Sequence, residues 1–190
     1  MNQIEMTNKT LLLLIDLQNA IEHPSWGRRN NLDAESNIRT LLDLWRNQGW
    51  PVCHIRHDST DTLSHYRPGQ SGNNFRTAFA PKANELIISK TTNSAFVGTP
   101  LEDVLRQNAI KQVVVVGVIT NNSVEATVRM GGNLGFDILL VADGCYTFDR
   151  KDLNGKLWRA EDVHALSLAN LDGEYCRVVT TDDIIKSCSL

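Results

Sequence analysis

The sequence predicts an α/β fold, with a mostly parallel six-stranded sheet flanked by helices in three layers. Three observations lead there. Six short runs rich in apolar and β-branched residues are spaced by stretches long enough for helical crossovers. Two of the runs, residues 11–15 (LLLLI) and 113–118 (VVVVGV), lack polar alternation, as strands buried on both faces do. The stretches between them carry apolar residues at helical spacing and are punctuated by glycine and proline. With 190 residues, 42% of them hydrophobic and 22% charged, the chain suits a single domain (1–190) with a full-sized core.

In order, residues 10–15 form the first strand, an apolar run closed by Asp16. Residues 32–48 form a helix, with Ile38, Leu41, Leu42 and Trp45 on one stripe and Gly49 as its stop. Residues 51–56 are the second strand. Residues 57–84 contain Pro68, Gly69, Gly72 and Pro81 and show no period; so long an irregular segment in a compact domain is usually functional. Residues 86–89 are a short strand, and 99–108 a helix with Pro100 in its first turn. The valine-rich run 111–118 is the clearest strand. Residues 121–134 form the next helix. There Asn122 and Glu125 have capping-box spacing, and Gly131-Gly132-Asn133-Leu134-Gly135 supplies the stop. Residues 137–142 are a strand, 160–171 a helix and 176–180 the last strand.

Composition narrows the function. Nineteen Lys and Arg against 22 Asp and Glu give a net charge of −3, with no broad basic field for nucleic acid or an anionic membrane. The apolar runs are far too short to span a bilayer. Met1-Asn2-Gln3-Ile4-Glu5 lacks the basic-then-apolar pattern of a leader. Cys53, Cys145, Cys176 and Cys188 lie far apart with no CxxC pair. Neither a metal knuckle nor a disulfide framework is expected, and a reducing cytoplasm is the simplest home.

In open parallel sheets, sites gather beyond the carboxyl ends of the strands. Asp16 falls there after the first strand, Lys90 after the third, and Ser123 at the start of the helix after the fourth. Singly they read as a loop-capping aspartate, a solvated lysine and a first-turn serine satisfying backbone donors. Jointly they make chemical sense. A hydroxyl at a helix N-terminus faces free N–H groups and the positive end of the dipole, where an oxyanion is stabilised. A carboxylate beside it can move protons, and a lysine can hold that carboxylate ionised or raise the local positive potential.

Three segments carry these residues: Leu13-Leu14-Ile15-Asp16-Leu17-Gln18-Asn19, Ser89-Lys90-Thr91-Thr92-Asn93-Ser94-Ala95-Phe96, and Gly117-Val118-Ile119-Thr120-Asn121-Asn122-Ser123-Val124-Glu125-Ala126-Thr127-Val128-Arg129. Together they resemble the isochorismatase-like superfamily of hydrolases, also called the cysteine hydrolase family, along nearly the whole chain. The resemblance implies a Rossmann-like sheet and a catalytic Asp, Lys and Cys, which map to Asp16, Lys90 and Ser123. Serine in place of cysteine is the main departure. Serine is a weaker nucleophile unless a base activates it, and no histidine sits in these motifs. True isochorismatases cleave a vinyl ether: the Asp protonates the substrate, water adds afterwards, and no covalent intermediate is needed. That chemistry suits Ser123 better than amide hydrolysis.

The resemblance further implies a non-proline cis peptide joining Val118 and Ile119, which would aim the Ile119 and Ser123 N–H groups at one oxyanion. It implies no cofactor, a small-molecule substrate and a homo-oligomer, dimer or larger, whose subunits help close the site. The Asp-Trp-His-Pro-type metal segment of nicotinamidases is absent. The equivalent region reads His54-Ile55-Arg56-His57-Asp58-Ser59, so no metal is expected. His54 reads as a core histidine and His57, past the strand end, as a pocket residue. Gln18, Tyr66, Phe96 and Asn121 are further pocket candidates, with Trp26 a candidate wall. One of Arg56, Arg67 and Arg76 could pair with a substrate carboxylate. Cys145, near Asp143, is a rival nucleophile; its plainer reading is a small buried residue. The alternatives to vinyl-ether hydrolysis are a Ser123-dependent amidase or C–N hydrolase and a non-catalytic small-molecule-binding homologue.

Overall fold

The computed structural model describes residues 6–188; the reading of residues 1–5 as lacking a leader lies outside them. The strands in chain order are β1 (Thr10–Ile15), β2 (Val52–His57), β3 (Leu86–Lys90), β4 (Gln112–Val118), β5 (Asp137–Tyr146), β6 (Arg150–Lys151), β7 (Leu157–Trp158) and β8 (Arg177–Val179). The helices are α1 (Ala34–Gln48), α2 (Leu101–Gln107), α3 (Glu125–Asn133), α4 (Ala160–Leu171) and α5 (Thr181–Ser187). Six strands form one sheet in the order β3-β2-β1-β4-β5-β8, parallel throughout, while β6 and β7 make a separate antiparallel ribbon.

Successive strand side chains point to opposite faces, and here both faces are covered. Leu12 and Leu14 of β1, with Val114 and Val116 of β4, pack against Ile38, Leu41, Leu42 and Trp45 of α1 and Ile184 of α5. Leu11, Leu13 and Ile15, with Val113 and Val115, pack against Leu101 and Leu105 of α2, Val128 of α3 and Leu171 of α4. Two buried faces leave no position for a polar residue, which is why these strands read as unbroken apolar runs. Each such side chain contributes roughly 1.5–3 kcal/mol of burial. The Trp45 indole N–H stays satisfied by donating to the Thr10 carbonyl at 3.0 Å.

Several boundaries differ from those the sequence predicts. Helix α1 starts at Ala34, not residue 32, and Leu32 is 76% exposed. Pro100 stands just before α2, whose seven residues fall short of the predicted 99–108. Strand β5 continues to Tyr146 past a register shift against β4. The helix predicted over 121–134 is two pieces, a π-helical turn (Thr120–Val124) followed by α3. The Asn122–Glu125 capping box does not form. The Asn122 backbone N–H donates to the Ile119 carbonyl, and the Glu125 carboxylate accepts from Arg129 and Ser167. A capping box does form at α5, between Thr180 and Asp183. Helix α5 and the β6–β7 ribbon are additions to the predicted pattern.

The irregular segment after β2 is pinned rather than loose. Two 3-10 turns, Ser71–Asn73 and Thr77–Phe79, break it up, and the Asn73 amide donates to the carbonyls of His57 and Tyr66. Strand order reverses between β1 and β4, so the crevice outside their carboxyl ends is the topological switch point of the sheet.

Candidate active site

The chain turns off β1 at Asp16, whose φ of 54° lies in the left-handed region that aspartate tolerates better than most residues. Its backbone N–H donates to the Ile55 carbonyl at 3.1 Å, which holds the turn against β2. On the other side, Gly117 of β4 is in register with Ile15. A Cβ at Gly117 would stand 2.3 Å from the Ile15 carbonyl oxygen, so only glycine lets the two strands approach this closely. The next peptide, Val118–Ile119, is cis. The Ile119 carbonyl then accepts the N–H groups of Asn122 and Val124, which opens the wide turn that carries Ser123.

Lys90, at the end of β3, reaches the same place. Its ammonium donates to Asp16 Oδ2 at 2.8 Å, the Thr92 carbonyl at 3.1 Å and Ser123 Oγ at 3.1 Å, and lies 3.5 Å from His57 Nδ1. Asp16, Lys90 and Ser123 are thus brought within hydrogen-bond reach of one another through the ammonium. All three are buried. Asp16 Oδ1 is buried with no hydrogen-bond partner.

A cavity of about 130 Å³ opens over this group. Trp26, His57 and Tyr66 wall it, Ser64, Asn93 and Asn122 offer polar groups, and Val118 and Ile119 close the floor beside Asp16 and Ser123. The Tyr66 hydroxyl donates to the Asp16 carbonyl at 3.4 Å, and burial pushes its acidity well out of the usual tyrosine range. The Trp26 indole N–H donates to the Ala20 carbonyl, and the ring stacks on Phe148 at 5.5 Å. Burial, reinforced by the Lys90 charge, holds His57 below the ordinary histidine range, which keeps it neutral and able to accept from the ammonium.

Of the other pocket candidates, Gln18 stands behind His57 as a clamp. Its Oε1 accepts the His57 N–H at 2.7 Å, and its Nε2 donates to the carbonyls of His57 and Asn73 at 3.0 and 2.9 Å. Phe96 lies away from the cavity, stacked on Phe136 at 5.8 Å in the core beneath α3. Asn121 also faces away: it accepts from Thr147 Oγ1 and borders a separate groove along α4. Its neighbour Asn122 is the one that lines the cavity. Asn93 and Ser64 also line it. Asn93 lies three residues past Lys90, and Asn122 just before Ser123, so adjacency to the motifs was the available signal.

Cys145 is fully buried in β5, where burial pushes its thiol up to about 12, far from a nucleophilic thiolate. His54 is a core histidine, 2.8 Å from Glu85. Arg56 is held by Asp58 and Ser89, Arg67 by the Thr62 carbonyl, and Arg76 by Glu22 and Glu35. Among the described residues, no group of three or more His, Cys, Asp and Glu gathers to hold a metal ion, and no helix is long and apolar enough to cross a membrane.

Residues 10–183 match the isochorismatase domain. The chain is 41% identical to the isochorismatase family protein YrdC of Bacillus subtilis, over 95% of this chain and 96% of that protein. It is 27% identical to Nicotinamidase 3 of Arabidopsis thaliana, over 93% of this chain and 87% of that one. The crystal structure of an isochorismatase-family protein from Chromobacterium violaceum matches with a TM-score of 0.95 at 52% identity, covering 100% of this chain and 98% of that chain.

Proposed function

The chain belongs to the isochorismatase family of hydrolases, and we propose that it hydrolyses a small organic molecule by acid–base chemistry at Asp16, without a covalent intermediate. One observation carries this reading: the two oxygens of the Asp16 carboxyl group are in different circumstances. Oδ2 is fixed by Lys90 at 2.8 Å, while Oδ1 is buried and unpartnered in a group that lines the cavity. An oxygen so placed can give a proton to a substrate atom and take one back from water. For a vinyl ether, the proton goes to the terminal carbon of the double bond. Water then adds to the carbon bearing the ether oxygen, the hemiketal C–O bond breaks, and a carbonyl compound and an alcohol leave. The proton lost by water returns to Asp16. The N–H groups of Ile119 and Ser123, at the cavity wall, suit the oxygen on which charge gathers as the hemiketal collapses.

Ser123 fits this scheme as a bystander. Its Oγ accepts from the Lys90 ammonium, whereas a nucleophilic serine needs a base to take its proton. The working assembly is taken to be a homo-oligomer, dimer or larger, which light scattering checks.

The test is a screen of vinyl ethers, amides and ureas against the purified protein. Vinyl-ether turnover is expected to persist in Ser123→Ala and to fall by roughly 10²–10⁴-fold in a folded Asp16→Asn variant. An acyl adduct trapped on Ser123, with a dead Ser123→Ala enzyme, would replace this reading with the serine amidase. Ligand binding without turnover in any class would leave a non-catalytic homologue.

A further inference from the structure

We propose that the molecule taken up over Asp16 is uncharged: a small, flat compound that carries no carboxylate or phosphate. The inference rests on the reading of this cavity as the reaction site and adds the class of substrate to it.

The argument starts from the cations. Among the described residues no lysine or arginine lines the cavity; the ammonium of Lys90 lies buried behind Asp16 and Ser123, and it has three N–H donors. All three are spent inside the protein, on Asp16 Oδ2, the Thr92 carbonyl and Ser123 Oγ, with His57 Nδ1 a further acceptor at 3.5 Å. The arginines nearest in sequence are engaged too. Arg56 sits on Asp58 and Ser89, Arg76 on Glu22 and Glu35, and Arg67 on a backbone carbonyl. His57 is held neutral by burial and by Lys90, so it adds no positive charge at neutral pH. A substrate anion would enter a confined space with no free cation to meet it, and an unpaired charge taken out of water is heavily penalised.

Asp16 lines the same cavity, and once it has given up its proton its carboxylate repels an anion beside it. The neutral groups that remain suit a neutral guest. Asn93, Asn122 and Ser64 can each give and take hydrogen bonds. Trp26 and Tyr66 supply aromatic surface while their own N–H and O–H donate inward, to Ala20 and Asp16. A volume of about 130 Å³ sets the scale at a single ring or its equivalent.

Isosteric pairs that differ only in charge test this directly on the full chain. Benzamide against benzoate, and acrylamide against acrylate, are compared by ligand-observed NMR titration at neutral pH, with phenyl vinyl ether as a third neutral probe. The neutral member of each pair is expected to bind on the order of 100-fold more tightly than its anion. Asn93→Arg, which places a guanidinium at the cavity wall, is expected to narrow or reverse that preference. Equal or tighter binding of benzoate or acrylate by the unmutated protein overturns the proposal, and so does failure of every neutral probe to bind. Binding is read without turnover. A protein that binds benzamide but hydrolyses nothing therefore sinks the hydrolase reading while leaving this one standing.

Discussion

The Lys90 ammonium donates to Ser123 Oγ at 3.1 Å while it holds Asp16 at 2.8 Å, so one buried cation organises both the carboxyl group and the hydroxyl beside it. Replacing it with a neutral isostere separates these roles. Lys90→Met leaves a buried carboxyl group without its counter-charge, and breaking such a pair costs about 3–5 kcal/mol. Urea unfolding should show that loss, and Asp16→Asn/Lys90→Met should recover part of it. A single variant as stable as the parent would mean that the ion pair contributes nothing to the fold.

Ser123→Cys tests the electrostatics of the same position. A thiol there sits beside a fixed ammonium and is expected to ionise more easily than an ordinary cysteine. Iodoacetamide at neutral pH should alkylate position 123 ahead of the native cysteines, with the modified peptide identified by mass spectrometry. Slow labelling would show that the Lys90 charge is fully consumed by Asp16. Amide hydrolysis gained by this variant and absent from the parent would mark serine as the reason the parent leaves amides alone.

Glu85 should set the acid limb of stability. Burial alone would raise its pKa, but hydrogen bonds from Arg46, the Lys82 N–H and His54 outweigh burial and hold it at about 2. Burial also lowers the pKa of His54, so at neutral pH its contribution to Glu85 is a hydrogen bond rather than a charge. A carboxylate depressed on folding stabilises the protein fully above its unfolded pKa, ordinarily 4.5, and that stability is lost as pH falls toward about 2. His54 adds a loss of the same sign below its ordinary 6.5. Thermal unfolding from pH 7 to pH 3 should show a steep fall in the parent. Glu85→Gln should show a shallower fall from a lower starting point, by on the order of 2 kcal/mol at neutral pH. Parallel curves would detach Glu85 from the acid response.

Gly117→Ala should damage the fold and the site together. The added Cβ meets the Ile15 carbonyl at 2.3 Å, and a φ of 126° is itself unfavourable for alanine. A loss above about 2 kcal/mol is expected, with the two strands forced apart beside Asp16. Wild-type stability and turnover in this variant would show that the strands can part without harm.

The layering of the fold was legible because β1 and β4 are buried on both faces, and unbroken apolar runs have few other meanings. Asp16 was legible because it ends such a run, and Lys90 because it ends the short strand β3. The small elements were not. Helix α5 has seven residues, too few to show a period, although its Thr180 and Asp183 carry a capping signal. The β6–β7 ribbon has two exposed residues per strand, too few to show an alternation. The choice of Asn121 over Asn122 failed for a geometric reason. A regular helix advances about 100° per residue, but the chain here makes a wider π-helical turn first. That turn leaves Asn121 with Thr147 and gives Asn122 to the cavity. Phe96 failed because an aromatic residue beside a motif has two places to go. The space above Gly131, where even a Cβ would crowd the ring, took it.

The burial of the thiols bears on where this chemistry can operate. Cys53, Cys145 and Cys176 are buried, with burial pushing each to about 12, and no cysteine borders the cavity among the described residues. Peroxide and mercurial poisons act on accessible thiolates. With a carboxyl, an ammonium and a hydroxyl as the proposed working groups, the cavity offers such agents no thiol to attack. Turnover by the proposed Asp16 route is expected to survive peroxide that would silence a hydrolase dependent on a cavity thiolate.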